Sequence, residues 1–281
     1  MNSYTSFKAT SADLKRAYDG AVASDGRHGD FQNRGCLFWL LRKGSVEIQA
    51  NGQTYLATRG TIVLAGSRAR RQDFSDDSEI LSINYYWTEP DGRPFFDQLE
   101  PWLADATAHP KLRERAEAVV QLVCAQFGNP SPMIPPRQTD TPAFMEVESA
   151  FFAWLAEVAR VLEAAGVPRS RDRPQDPRVQ RAQMLLSEAP LDQKPDYDAI
   201  AHLSGLSRPH LERLYRREFH LSPSAHFENR RLEHAQRELA RKGTRIKEVS
   251  LQLGFKHLSQ FSVWFSKNEG MGPREYQNAA G

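Results

Sequence analysis

The sequence has few cysteines and no long apolar run. Its two cysteines, Cys36 and Cys124, lie far apart, without the close spacing of metal-binding pairs. They suit a reducing cytoplasm, either as buried apolar side chains or, as the alternative, as a disulfide. No stretch of roughly eighteen apolar residues is present, which excludes a membrane-spanning helix. The polar segment Met1–Gly20 is not typical of a signal peptide. We therefore expect a cytoplasmic protein with no membrane partner.

The chain is long enough for two domains, and its charge is unevenly distributed. Of its 281 residues, 40% are hydrophobic and 26% are charged, as in ordinary soluble proteins. The segment from Arg178 to the C-terminus has 17 Lys and Arg and 12 Asp and Glu, a net charge of +5. The first 177 residues have 20 and 23, a net charge of −3. A basic module indicates a polyanionic partner, and a solvated surface is the alternative explanation.

Residues 36 to about 88 have the pattern of short strands. Cys36–Leu41 and Ile80–Trp87 are apolar and aromatic runs that are too short for helices. Asn51-Gly52 follows an alternating segment and predicts a tight hairpin turn. Several short strands separated by turns predict an all-β barrel or sandwich.

Helical spacing replaces the strand pattern after Pro101. Apolar residues recur every three or four positions in two stretches between about 111 and 165. The polar segment Val167–Pro177 contains three prolines and is typical of a linker. We therefore expect an N-terminal domain over 1–166, a linker over 167–177 and an all-α domain over 178–281.

The all-α domain contains a helix-turn-helix pattern. A short helix ends at Gly205, where a left-handed C-cap suits glycine, and Ser207 is placed to cap the next helix. The apolar face of that next helix consists of Leu211, Leu214, Tyr215 and Phe219. In such a unit the exposed face of the second helix enters the major groove of DNA.

The same pattern recurs about fifty residues later. Gly254-Phe255 repeats Gly205-Leu206, small Ser250 stands in place of small Ala201, and a second apolar face consists of Phe261, Trp264 and Phe265. A helix over Ser224–Arg241, roughly 27 Å long at ~1.5 Å per residue, joins the two units. Such a helix can hold two recognition helices about one DNA turn, ~34 Å, apart. Because the pattern is duplicated, ordinary helix packing explains it less well.

Residues 178–276 resemble the DNA-binding domain of the AraC/XylS family of transcription regulators. The resemblance rests on these segments: Ile200-Ala201, Gly205-Leu206-Ser207, Leu211, Arg213-Leu214-Tyr215, Leu221-Ser222-Pro223, Arg231-Leu232, Ala235, Gly254-Phe255, Phe261, Phe265, Gly270-Met271-Gly272-Pro273 and Tyr276. The N-terminal part resembles the family's cupin-type effector domain in the order and spacing of its strands. The resemblance implies a cupin-like all-β barrel followed by helices, and an all-α domain with two helix-turn-helix units joined by a long helix.

The function implied by this resemblance is that of a sequence-specific DNA-binding activator that responds to a small effector. Its implied partners are double-stranded DNA, RNA polymerase and a second copy of the chain. On the first recognition helix, the residues that would read bases are Arg208, Pro209, Glu212 and Arg213. On the second they are His257, Leu258, Ser259, Ser262 and Val263. The residues that would contact phosphates are Ser207, Arg216, Arg217, Lys247, Lys256 and Lys267.

The second recognition helix departs from the family pattern. Leu258 and Val263 can touch thymine methyl groups but cannot hydrogen-bond a base, so we expect the first unit to supply most of the specificity. Arg213 suits guanine and Glu212 suits the cytosine amino group. The alternative for Leu258 is packing against its own core. His220 also replaces a usual glycine, which implies strain if its backbone is left-handed.

The strand region contains polar residues suited to a small effector such as a sugar. Ser82, Asn84 and Tyr86 share one strand face, and Arg27, Trp39 and Gln72 are further candidates. A barrel filled by Phe38, Trp39 and Leu40 would instead favour an effector-independent or partner-controlled regulator. No histidine occurs between Gly35 and Ala108, which argues against metal-dependent cupin chemistry. A repair enzyme with a metal-activated cysteine is a remote alternative. We expect no metal, no cofactor and no enzymatic activity.

Overall fold

The structure is a computed structural model that describes residues 11–32, 35–66, 69–96, 100–128, 141–172 and 175–280. The described chain divides into two compact units, of which the first ends at Asp172 and the second contains the residues from Gln175 onward. The first unit is rich in sheet and the second is helical, so this coarse division, predicted from the sequence, is confirmed.

The described strands of the first unit form two antiparallel sheets. One sheet has the order β1-β8-β3-β6-β9 and the other the order β2-β7-β4-β5. A single short helix, α1 (Ser24–Arg27), precedes β2 in this part of the described chain. The strands are β1 (Ser11–Ala21), β2 (His28–Gln32), β3 (Cys36–Lys43), β4 (Ser45–Ala50), β5 (Gln53–Thr58), β6 (Thr61–Ala65), β7 (Ala69–Phe74), β8 (Glu79–Thr88) and β9 (Trp102–Asp105).

The strand region is longer than the predicted span of 36–88. Strands β1 and β2 precede that span and β9 follows it. β1 pairs antiparallel with β8 from Ser11 opposite Thr88 to Ala21 opposite Glu79, with a register shift between Leu14 and Arg16. Charged residues and this shift interrupt the two-residue alternation that marks a strand in sequence, so the prediction was wrong at this boundary.

Two apolar cores lie on opposite faces of the first sheet. From β3, Leu37, Trp39 and Leu41 point into the space between the sheets. Phe38 and Leu40 point outward and pack against two helices, α2 (Pro110–Phe127) and α3 (Thr141–Ala164). Because both faces of β3 are buried, its sequence is an apolar run and not an alternating one.

The end of the first unit includes part of the predicted linker. Arg169 forms an ion pair with Glu89 at 3.3 Å, and both side chains are nearly buried. Arg93 Nη1 donates to the carbonyl oxygen of Ser170 at 2.7 Å. Residues 167–172 therefore belong to the first unit. Their polar composition favoured a linker, because they are attached to this unit by ion pairs and hydrogen bonds and have few apolar side chains that would indicate packing.

The second unit contains two small helical cores. One is formed around α5 and α6, and the other around α8 and α9. Helix α7 contacts α4 and α6 on one side and α8 and α10 on the other, so it connects the two halves. The described helices are α4 (Pro177–Glu188), α5 (Tyr197–Leu203), α6 (Arg208–Phe219), α7 (Pro223–Leu239), α8 (Ile246–Gln252), α9 (Leu258–Glu269) and α10 (Pro273–Ala280).

Candidate nucleic-acid interface and ligand cavity

Helices α5 and α6 cross closely and leave one face of α6 exposed. Ala201 on α5 is 1% exposed, which places a small side chain at the crossing. Gly205 has a φ of +70° in the turn, a conformation that glycine adopts without steric cost. Leu206 N then donates to the Ala201 carbonyl oxygen at 2.9 Å and closes the turn. The buried residues of α6 include Leu211, Leu214, Tyr215 and Phe219, so its opposite face points to solvent.

The exposed face of α6 contains three of the predicted arginines in different environments. Arg208 lies 3.3 Å from Glu212 and its guanidinium lies 4.5 Å from the centre of the Tyr197 ring. Arg216 lies 3.7 Å from the same Glu212. Arg213 is exposed and forms no ion pair or hydrogen bond with any residue that the structure describes. Arg213 is therefore the arginine of these three whose guanidinium has no ion-pair or hydrogen-bond partner among the described residues.

The second pair, α8 and α9, repeats this geometry. Ser250 is 2% exposed at the crossing, and Gly254 has a φ of +72° in the turn. Phe261 and Phe265 lie on the inner face of α9 and are fully buried. Both units thus have a small residue at the helix crossing, a left-handed glycine in the turn, and aromatic or aliphatic residues on the buried face of the second helix.

The outward face of α9 is less polar than that of α6. Leu258 is 46% exposed and Val263 is 70% exposed, so Leu258 does not pack into its own core. Ser262 Oγ donates to the Leu258 carbonyl oxygen at 3.0 Å within the same helix. His257 and Ser259 are exposed at the start of α9. Sequence reasoning missed Gln260, which is also exposed in this first turn, and whose amide can bind adenine.

The predicted phosphate-contacting residues lie around these helices. Lys247 on α8, Lys256 in the second turn and Lys267 on α9 are exposed. Ser207 is the exposed N-cap residue of α6, and its side chain makes no capping hydrogen bond. Arg217 donates to Glu218 at 3.1 Å, so part of its charge is neutralised within α6.

A cavity of about 220 Å³ lies between the two sheets of the first unit. Four of the predicted effector residues line it: Trp39, Gln72, Ser82 and Asn84. Arg27 and Tyr86 are outside the lining. Arg27 Nη2 donates to the Val22 carbonyl oxygen at 3.0 Å, and Tyr86 lies two residues beyond Asn84, with the Lys15 ammonium 5.0 Å from its ring.

Three polar lining residues were missed by sequence reasoning: Arg16, Tyr18 and Arg70. Arg16 and Tyr18 lie on β1, directly opposite Asn84 and Ser82 of β8. Arg70 lies on β7, two residues before Gln72. β1 lies outside the predicted strand span, and β7 was not identified as a separate strand although Gln72 was a candidate, so the inward direction of these side chains could not be assigned.

The described chain contains neither a disulfide nor a cluster of side chains suited to a metal ion. Cys36 and Cys124 are both free, so the disulfide alternative is wrong. Burial raises the pKa of Cys36 to about 12, although a hydrogen bond with Tyr85 opposes this shift. No three His, Cys, Asp or Glu side chains among the described residues lie close enough to hold a metal ion. None of the described helices is long and apolar enough to span a membrane.

A helix-turn-helix domain family matches residues 200–279. The uncharacterized HTH-type transcriptional regulator YobQ of Bacillus subtilis is 44% identical over 57 residues, which are 20% of this chain and 24% of YobQ. The HTH-type transcriptional regulator GbdR of Pseudomonas aeruginosa is 34% identical over 92 residues, which are 33% of this chain and 25% of GbdR. The chain thus aligns with about a quarter of the length of these curated relatives.

Two solved structures are also similar. A transcriptional regulator with an AraC-type DNA-binding domain from Chromobacterium violaceum is 29% identical, with 37% of this chain and 92% of that chain covered and a TM-score of 0.34. Wild-type ToxT from Vibrio cholerae, solved with a bound unsaturated fatty acid, is 13% identical, with 96% and 95% covered and a TM-score of 0.45. The C-terminal region of this chain is an AraC-type helix-turn-helix domain.

Proposed function

We propose that this protein is a sequence-specific DNA-binding activator of transcription whose two recognition helices, α6 and α9, enter successive major grooves. The observation that carries the proposal is the repeated geometry of the two helix pairs around α7. At ~1.5 Å per residue, the 17 residues of α7 span about 25 Å. A helix of this length suits two recognition helices about one DNA turn, ~34 Å, apart.

The first unit would supply most of the sequence specificity. Arg213 on α6 offers a planar pair of donors to guanine, and Pro209 is exposed beside it. On α9, Leu258 and Val263 offer only apolar contact with thymine methyl groups. The exposed lysines around α8 and α9 would hold phosphates and add affinity without sequence information.

The first unit would bind a small polar effector in the cavity between its sheets, within a cupin-like barrel. Gln72, Ser82 and Asn84 provide hydrogen-bonding groups there, and Trp39 provides a stacking surface, as a sugar would require. The alternative of an effector-independent or partner-controlled regulator needed an interior filled by Phe38, Trp39 and Leu40. Trp39 does line the cavity, but Phe38 and Leu40 point away from it toward α2 and α3, so the interior is not filled and the effector is favoured.

The proposal also includes a cytoplasmic homodimer that contacts RNA polymerase and carries no catalytic activity. The relatives that match the C-terminal region are transcriptional regulators, which supports a role in transcription for this domain. The family resemblance supports the dimer and the polymerase contact.

The test is a titration of the purified full chain against the intergenic DNA upstream of its own gene at several salt concentrations. A steep salt dependence with preference for one segment is expected, because phosphate contacts release counterions whereas base contacts select sequence. Arg213→Ala should relax the preference at one base pair, by about 1–3 kcal/mol. Arg216→Ala should weaken binding to all DNA sequences alike. It should also reduce by about 1 the slope of the logarithm of the binding constant against the logarithm of the salt concentration.

The matched control is Arg237→Ala at an exposed position on α7, where no ion pair or hydrogen bond joins Arg237 to a described residue of α6 or α9. It should leave the sequence preference and the salt dependence unchanged. Binding that shows no sequence preference at any salt concentration would overturn the proposed function, since non-specific binding requires only the phosphate contacts.

A further inference from the structure

The cavity between the sheets is built from aligned rows of side chains. On the first sheet, Ser82 of β8 lies opposite Tyr18 of β1 and opposite Trp39 of β3. In the adjacent register, Asn84 lies opposite Arg16. On the second sheet, every other residue of β7 is buried and points inward, namely Arg70, Gln72 and Phe74. The polar groups of both sheets therefore face a common space.

Arg70 places a buried cation in this cavity. The residue is 6% exposed, and its guanidinium lies 5.2 Å from the centre of the Trp39 ring on the opposite sheet. Nε donates to Gln72 Oε1 at 3.1 Å, and Gln72 Nε2 donates in turn to the Gly26 carbonyl oxygen at 2.6 Å. These two bonds fix the direction of the guanidinium.

The Nη1 group of Arg70 is buried and has no hydrogen-bond partner among the described residues. The described lining of the cavity also contains no carboxylate, although it contains a second arginine, Arg16. Burial lowers the pKa of Arg70 to about 10, and no neighbouring anion opposes that shift. A buried charge without a counter-ion is costly in free energy, so the free protein holds a cationic site that an anion would stabilise.

The remaining walls determine what kind of anion fits. Phe31, Trp39, Phe74 and Ile80 give the cavity apolar and aromatic surface beside the two arginines. Its volume of about 220 Å³ admits only a small ligand. A planar carboxylate matches the donor geometry of a guanidinium, and a short apolar body matches these walls.

We propose that this cavity binds a small organic acid, with the carboxylate held by Arg70 and the apolar body packed against Trp39. As an assignment of effector class, this inference rests on the proposed function, and it replaces the neutral sugar with a monocarboxylate. Gln72 then acts as the residue that positions the guanidinium, while Ser82 and Asn84 complete the hydrogen bonds of the bound acid.

The experiment is calorimetric titration of the full chain with hexanoate and phenylacetate, in a buffer free of organic acids. Hexanamide and phenylacetamide are the matched neutral probes, and glucose and inorganic phosphate are tested in parallel. At least one of the two acids should bind saturably, and roughly 10- to 100-fold more tightly than its amide, because hydrogen bonds to a charged partner are the stronger ones. The inference is overturned if neither acid binds, if the amides or glucose bind as well as the acids, or if phosphate binds more tightly.

Arg70→Met tests the residue itself. This variant should lose the preference for the acid over its amide, and it should raise the midpoint of thermal unfolding of the free protein, because an unpaired buried charge is removed. Arg71→Met is the matched control, since Arg71 is the next residue on β7, is exposed, and pairs with Asp73 at 3.3 Å. That control should leave the acid affinity unchanged.

A lower unfolding midpoint in Arg70→Met together with unchanged acid binding would show that Arg70 is only a structural residue, which overturns the inference. If Arg70→Met does not fold, Arg70→Lys retains the charge but not the planar pair of donors. Acid binding weakened by roughly tenfold in Arg70→Lys supports the inference, and unchanged binding contradicts it.

The DNA titration separates this inference from the proposed function. Sequence-specific DNA binding without acid binding would support the proposed regulator and contradict the assigned effector class. Acid binding that does not alter DNA binding would support the cavity ligand and contradict its role as an effector.

Discussion

Arg231 Nη2 donates a hydrogen bond of 2.7 Å to the carbonyl oxygen of Leu253. Leu253 is the C-cap residue of α8, where backbone carbonyls lack donors within the helix. The guanidinium also lies 4.7 Å from the centre of the Phe255 ring and 5.1 Å from that of Trp264. Glu228 accepts hydrogen bonds from both Arg231, at 3.2 Å, and Trp264 Nε1, at 2.8 Å. Arg231 thus joins α7 to the turn and the recognition helix of the second unit.

The preceding residue, Arg230, makes the corresponding contact on the other side of α7. Its Nη1 donates to the carbonyl oxygens of Leu186 and, at 3.1 Å, of Ala189, at the end of α4. Successive positions on a helix point about 100° apart, so adjacent arginines can reach different neighbours. The connecting helix therefore contacts each half through an arginine that donates to carbonyl oxygens at the end of another helix.

Arg231→Lys should destabilise the second unit by about 1–3 kcal/mol, because an ammonium group cannot stack between two rings while donating to both Leu253 and Glu228. Unfolding of the full chain in urea, followed by tryptophan fluorescence, measures the change when Trp264, which lies in the second unit, is the tryptophan retained and the other four are replaced by phenylalanine in both variants. Arg237→Lys, at an exposed position on the same helix, should change stability by less than about 0.5 kcal/mol. Equal stability of the two variants would contradict the role given to Arg231.

The two turn glycines should respond differently to alanine. Gly205 and Gly254 have φ values of +70° and +72°, so each substitution forces a left-handed alanine at a cost of about 1–2 kcal/mol. A Cβ at Gly205 meets nothing within 4 Å, whereas a Cβ at Gly254 would collide with the backbone carbonyl of Asp192. Gly254→Ala should therefore cost at least about 1 kcal/mol more than Gly205→Ala in urea unfolding. A smaller cost at Gly254 would mean that the Asp192 loop moves freely.

The helix-turn-helix units could be predicted because their signals are local. Gly205 and Gly254 mark the turns, and the buried faces of α6 and α9 repeat with helical period. The sequence could not show which arginine of α6 is free of contacts with neighbouring side chains. Arg208 is occupied because Tyr197, a residue of the preceding helix, packs against its guanidinium, and that contact depends on how the two helices cross.

The cavity could be predicted only in part, for a different physical reason. Ser82 and Asn84 were found because β8 is an apolar and aromatic run typical of a strand, and residues two positions apart on a strand share one face. Strand β7 has polar or charged residues on both faces, Arg70 and Gln72 inside and Arg71 and Asp73 outside, so it has no apolar period. Buried charges are rare, and for this reason Arg70 was not recognised as part of a cavity wall, although Gln72 of the same strand was a candidate.

His220 and Gly270 occupy equivalent positions after the two recognition helices, with φ values of 57° and 84°. His220→Gly should stabilise the protein by up to about 1 kcal/mol, because the strain of a left-handed histidine exceeds the extra chain entropy of glycine. Gly270→Ala should destabilise it by about 1–2 kcal/mol, since it introduces the same strain. Thermal unfolding midpoints measure both effects. A lower midpoint for His220→Gly would show that side-chain contacts of His220 outweigh its backbone strain.

Stability should fall as the pH decreases from about 6.5 to about 4, because of His226. This imidazole packs with its ring centre 5.7 Å from that of Tyr215 and 6.1 Å from that of Phe219, and burial, with a contribution from the charge of Arg230, lowers its pKa to about 4. An unfolded histidine has a pKa of about 6.5. Between these values the unfolded state binds a proton that the folded state does not, so acid favours unfolding, by about 2 kcal/mol at pH 5 relative to pH 7.

The loss due to His226 can be separated from that of other groups by its pH window and by substitution. The hydrogen bond from Arg178 lowers the pKa of Asp176 to about 2, so the stability contributed by Asp176 is lost only below about pH 4. His226→Gln removes the titrating group and should flatten the dependence of the unfolding free energy between pH 7 and pH 5. His202→Gln, at an exposed position on α5, should retain the wild-type slope. If His226→Gln loses stability as steeply as the wild type over this range, the proton is taken up elsewhere and His226 is not the responsible group.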